Sequence, residues 1–171
     1  HDVTHVYSIG TYDVFMKLLE EDPLLKTLKE SFADNWSELL SLAFYCLKDG
    51  DFTSNRYAMY AQSHKLPCQD PLTPTSITRL FQTVSKEDEL NFFTKYIEEL
   101  YCAHELPTRR FWALDSTSIS TYAKLADAKF GHNKQNEDIP QINVLMITEQ
   151  KTGRPIFYNR FNGAIPDVST V

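Results

Sequence analysis

The feature that most limits what this chain can fold into is a change of hydrophobic period at Pro107. Before it, apolar residues recur at helical spacing. After it they come in short runs rich in Phe, Trp, Ile, Val and Thr, the signature of strands. A helical region over residues 1–107 followed by a strand region over 108–171 is therefore expected, of the α+β or α/β class.

Within the first region, residues 12–48 read as helical. Asp22-Pro23 places a capping acid before a proline at the first helical position, and Leu24, Leu25, Leu28 and Phe32 follow as a stripe. Trp36, Leu39, Leu40, Ala43, Phe44 and Leu47 form a second stripe, closed by Asp49-Gly50-Asp51. From Phe52 to Thr75 no period is sustained, and Pro67, Pro71 and Pro74 mark its second half as a loop. Ile77, Leu80, Phe81 and Val84 then make one helix face, with Thr78, Arg79 and Gln82 on the other. Ser85 and Asp88 form a capping box for a last helix carrying Leu90, Phe93, Ile97, Leu100 and His104. These last two helices could pair as a helix-turn-helix, although most adjacent helices are simply packed together.

In the second region, residues 110–120, 142–149 and 155–161 are expected to be three consecutive antiparallel strands, the latter two joined through Thr152-Gly153. The first has apolar residues on both faces before its acid. It reads as a central strand buried on two sides.

Composition excludes several classes. No apolar run is long enough to span a bilayer, the longest being Leu39 to Leu47, and no signal-peptide pattern opens the sequence, so no membrane partner and a cytoplasmic setting are expected. Cys46, Cys68 and Cys102 are far apart, which suggests neither a zinc site nor a disulfide framework. The net charge of −6 argues at first against a polyanionic partner. It is unevenly spread: residues 1–107 hold 9 basic and 17 acidic side chains, whereas residues 108–134 hold 5 basic and 2 acidic. That basic island comprises Arg109, Arg110, Lys124, Lys129 and Lys134, with His132 among them, and it surrounds Asp115. Together these six are the candidate DNA-contacting residues; the alternative is ordinary solvated charge.

Asp115 is the candidate catalytic and metal-binding residue. An unpaired carboxylate within a buried strand costs several kcal/mol, so it needs a cation or strong donors. It stands where the apolar FWAL gives way to the hydroxyl-rich STSIST. The competing reading is a strand-end Asp bonded to Ser116, Thr117 or loop amides. Asp167 follows Pro166 at an expected helix start and reads as a cap; Glu137, Asp138 and Glu149 read as solvated loop or turn acids.

The stretch ALDSTSIS, then FGHNK, then PQINVLMITEQKTGRPIFYNRFNGAIPDVST resembles the DDE transposases of bacterial insertion sequences. It is closest to the branch whose first catalytic Asp is followed by Ser or Thr. DNWSELLSLAFYCLKDG and PTSITRLFQTVS are similar in kind to that branch's helical leader, for which DNA-end binding is the expectation. The resemblance implies a ribonuclease-H-like catalytic domain over residues 108–171, of which the three strands are the beginning. It further implies two Mg2+ or Mn2+ ions held by three acids, Asp115 matching the first. DNA transposition by strand cleavage and transfer would be the function, with transposon ends and target DNA as partners, a homodimer in the active complex and a prokaryotic, nucleoid-associated location. The second Asp and the Glu have no counterpart before Val171, so an interior fragment inactive by itself is expected. Lacking its covering strand and helix, that fragment would leave apolar sheet residues exposed. Rival readings are another ribonuclease-H-like nuclease, and a non-enzymatic remnant or DNA-binding module.

Overall fold

The computed structural model describes residues 6–50, 52–103, 111–122, 128–131 and 139–164, and the chain divides into two compact units, His1–Glu105 and Leu106–Val171. The first contains α1 (Gly10–Glu20), α2 (Leu24–Ser31), α3 (Trp36–Asp49), α4 (Ser54–Ser63), α5 (Pro74–Thr83) and α6 (Lys86–Ala103). The second contains β1 (Trp112–Ser120), β2 (Gln141–Glu149) and β3 (Pro155–Asn162). The architecture is α+β, and no helix among the described residues is long and apolar enough to cross a membrane.

Local chemistry sets the helix ends. Pro23, and not Asp22 as expected, stands at the N-cap of α2, and the amide of Leu24 donates to Asp22 Oδ1 at 2.9 Å one residue further out. At the end of α3, Gly50 takes a φ of 73° and its amide donates to the Cys46 carbonyl at 3.0 Å. A side chain with a Cβ would be strained there. Ser85 and Asp88 form the reciprocal cap of α6, the Asp88 amide donating to Ser85 Oγ at 3.1 Å and the Ser85 amide to Asp88 Oδ2 at 2.9 Å. The Ser85 hydroxyl, which donates to Asp88 Oδ2 at 2.7 Å, and after it the Ser85 amide hold the Asp88 carboxyl below its ordinary range.

The helical core is built on α3. Leu40, Leu42, Phe44 and Tyr45 are buried against Tyr57, Leu66, Ile77 and Leu80, with Tyr12, Phe15 and Met16 of α1 packed on the cluster. The buried face of α3 is rotated from the stripe expected on the sequence: Ser41 is fully buried and Leu47 is 69% exposed. Two bonds explain the rotation. Ser41 Oγ donates to the Ser37 carbonyl at 2.7 Å and accepts from the Cys68 amide at 2.8 Å, tying the 64–73 loop to the middle of α3. Tyr45 then packs on Tyr57 and Tyr60 of α4.

Helix α4 lies where no sustained period is legible, and α5 begins at Pro74, inside the expected loop, with Thr73 Oγ1 accepting from the Ser76 amide. Helix α5 packs on α4, and α6 packs on α2, where Phe92 meets Phe32 at 5.7 Å between ring centroids.

The sheet is antiparallel throughout, in the order β1-β2-β3. Its bounds fall within two residues of those read from the sequence. The order corrects one expectation: among the described residues β1 lies at the sheet edge and β2 is central. The two-sided apolar pattern of β1 is matched by exposure, with Trp112 at 57% and Leu114, Ile119 and Phe111 also open.

Candidate functional site

Alternation along the strands sorts the sheet residues into two faces. On one, Gln141, Asn143 and Leu145 of β2 are buried, and Ser118 of β1 donates through Oγ to Asn143 Oδ1 at 3.0 Å. The other carries Ala113, Asp115, Thr117 and Ile119 of β1 beside Ile142, Val144 and Met146 of β2. This second face is the open one: Met146 is 39% exposed, and Asp115 is exposed as well.

Asp115 stands opposite Met146, and Met146 stands opposite Tyr158 of β3. One row thus crosses the sheet as acid, thioether and phenol. In the next row Thr117, Val144 and Arg160 are aligned, with Arg160 exposed. The open face therefore carries a carboxylate and a guanidinium from different edge strands, separated by the width of β2 and one step along it. At about 4.8 Å between strands, the two backbones are about 10 Å apart across the sheet.

Arg160 was not among the residues singled out in the sequence, because its face depends on an irregularity. The β2–β3 register shifts between Ile147 and Thr148, where Ile156 is the extra residue on β3. Counting back through the hairpin without that bulge puts Arg160 on the opposite side.

Of the six residues of the basic island, the structure describes Lys129; Arg109, Arg110, Lys124, His132 and Lys134 lie outside the described residues, as do His104, Glu137, Asp138 and Asp167. Lys129 is not brought to Asp115. It exchanges backbone bonds of 2.9 and 3.0 Å with Gln141, at the opposite end of β2 from Met146 and on the buried-face register. Five residues of strand, about 17 Å, separate the two positions along β2.

Asp115 offers one hard oxygen donor set of the kind magnesium and manganese take. Among the described residues no group of three His, Cys, Asp or Glu side chains is placed to hold a metal ion. The described part of the open face therefore does not itself make a two-ion cage. Comparison with family models, with curated proteins and with solved structures finds no match to this chain.

Proposed function

We propose that this chain is part of a DDE transposase, acting in metal-dependent cleavage and joining of DNA strands, with Asp115 as the first of its catalytic carboxylates. The observation that carries the reading is the position of Asp115: an exposed acid on the open face of an antiparallel meander, directly before a run of hydroxyl side chains. An acid kept out of the buried face is available to a ligand, whereas the polar residues of the buried face, Asn143 and Gln141, are taken up in internal bonds. The resemblance of ALDSTSIS and of residues 140–170 to these enzymes supplies the chemistry. In this reading Asp115 contributes a ligand oxygen and Arg160 draws a backbone phosphate to the same face. The remaining carboxylates must come from outside the described residues.

A second reading, a DNA-binding module without catalysis, is favoured by there being one acid on the open face among the described residues. One experiment separates them. The gene product is incubated with supercoiled plasmid and Mg2+ or Mn2+, wild type against Asp115→Asn, with DNA retention measured in parallel. The transposase reading expects metal-dependent nicking that falls on the order of 10²–10³-fold in the variant, the scale for losing one charge-stabilising group, while retention persists. Retention without nicking in the wild type supports the binding module. Nicking that survives Asp115→Asn overturns the catalytic assignment.

A further inference from the structure

Asn162 and Gly163, at the end of β3, form an element that nothing described so far uses. They are the one Asn-Gly pair among the eight asparagines of the chain. Three contacts meet there. A Cβ on Gly163 would stand 1.9 Å from the Gln141 backbone oxygen, so the packing calls for glycine. The Gly163 carbonyl accepts from Nε2 of Gln141, a side chain 1% exposed, at 3.0 Å. The Asn162 carboxamide folds back along its own backbone, Oδ1 accepting from the Ala164 amide at 3.0 Å.

That last bond arches the side chain over the peptide joining Asn162 to Gly163. It brings the carboxamide carbon, Cγ, beside the Gly163 nitrogen and polarises the C=O bond. Glycine leaves that nitrogen unshielded, since no Cβ stands next to it. The packing that calls for glycine at 163 thus sets the least hindered kind of backbone nitrogen next to an electrophilic side-chain carbon. What restrains the reaction is the strand. Asn162 is the last residue of β3 and, among the described residues, pairs with Ile142 on one side alone. Strand ends open at low free energy, and the freed peptide then turns its nitrogen toward Cγ.

We infer that Asn162-Gly163 is a self-modifying site, where the chain converts its own carboxamide to a carboxylate at a rate set by opening of the strand end. The Gly163 nitrogen, its proton lost to solvent base, bonds to Asn162 Cγ, and the carboxamide nitrogen takes up a proton and leaves as ammonia. Water then opens one of the two C–N bonds of the cyclic imide, giving aspartate or isoaspartate. The two products differ in consequence. Aspartate keeps the backbone and adds a negative charge to the open face, two residues from Arg160 and in the row of Ile119 and Ile142. Isoaspartate runs the main chain through Cβ and so adds one methylene before Gly163. Gly163 then no longer fits against Gln141, and the bond from Gln141 Nε2 is lost. Lys129 exchanges backbone bonds with Gln141, and Gly131 packs on the Gly163 oxygen, so the whole corner loosens with it.

The test ages the whole chain at neutral and at alkaline pH and follows each asparagine by mass spectrometry of its peptides, with fragmentation separating aspartate from isoaspartate. Two variants accompany it. Asn162→Gln closes a slower, larger ring, and Asn162→Asp supplies one product in full while keeping an oxygen for the Ala164 amide. Asn162 should gain the mass of deamidation first among the eight asparagines, faster at alkaline pH, and Asn162→Gln should stay unmodified. In the isoaspartate fraction, amide exchange at residues 129–131 and Gln141 should speed up about 5- to 12-fold, the scale of one lost internal hydrogen bond. Asn162→Asp should exchange like the unaged protein. Another asparagine reacting first overturns the inference, and so does an Asn162 that stays intact while an unfolded peptide of the same sequence reacts. An isoaspartate fraction that exchanges like wild type overturns the effect on the corner. Equal loosening in Asn162→Asp assigns that effect to charge and overturns the part played by the methylene. None of these readouts involves DNA or nicking, so the transposase reading stands or falls separately.

Discussion

The Ser118 hydroxyl of β1 donates to the Asn143 side-chain carbonyl of β2 at 3.0 Å, between residues that are direct partners in the antiparallel ladder. This bond lies on the buried face, three residues along the strand from Asp115. It links the edge strand to the central one by a side-chain contact as well as by backbone bonds. Ser118→Ala should lower the stability of the strand unit by about 1 kcal/mol, the usual worth of one such bond. Amide exchange should speed up first along β1. Thermal unfolding and hydrogen exchange check this, and an unchanged β1 would show that the backbone ladder alone holds the edge.

Gly163 and Gly131 are required by close packing at the far end of the sheet. A Cβ at Gly163 would sit 1.9 Å from the Gln141 backbone oxygen, and one at Gly131 would sit 2.0 Å from the Gly163 oxygen. Neither obstacle is a flexible side-chain tip, so the backbone must move. Gly163→Ala is expected to cost roughly 1–3 kcal/mol or more, as overpacking does. Gly10→Ala, where nothing lies within 4 Å, should be neutral or slightly stabilising at the start of α1. Denaturant melts of the two variants give the comparison.

Burial pushes the Tyr57 phenol up to about 12, and the neighbouring Ser41 hydroxyl offsets only part of that. In unfolded chains a tyrosine loses its proton near pH 10. The native state therefore holds the proton longer, and stability present below pH 10 is lost as pH rises towards 12. The full difference amounts to roughly 3 kcal/mol at about 1.4 kcal/mol per unit. Burial raises Tyr45 and Tyr60 in the same direction, so they add to the alkaline loss. Tyr57→Phe should flatten, without abolishing, the fall in melting temperature between pH 9 and pH 11.5.

The strands were legible in the sequence to within two residues, and so were the caps at Gly50 and Ser85, because turn and cap chemistry is local. Helix α4 was not. Its core contact is made by Tyr57 and Tyr60, whose polar tips and aromatic bodies blur a period that aliphatic side chains would have shown. The place of β1 was misread for a different reason. Phe111, Trp112, Ala113 and Leu114 report what kind of surface the strand presents and not which strands lie beside it, and only β2 does among the described residues. For the site, Asp115 stood out as an acid in an apolar strand. Lys129 looked close to it through sequence neighbourhood, yet its pairing with Gln141 puts it at the other end of β2.

The extra residue at Ile156 has a consequence for how this hairpin tolerates change in length. Each β3 side chain beyond it owes its side of the sheet to an odd count from the turn. If Ile156 were instead paired regularly with Ile147 and the turn-proximal pairing of Thr148 with Pro155 kept, every later position would swap sides. Phe157, Asn159 and Phe161 would then come round beside Asp115, and Tyr158 and Arg160 would be turned into the core. Ironing out the bulge would replace a charged, hydrogen-bonding surface with a greasy one while leaving every side chain on β1 and β2 in place. Deleting Ile156, by contrast, would keep Phe157 opposite Ile147 and every later pairing as it is. That Ile156 stays out of the ladder is therefore as much a part of the site as the identity of any residue on it.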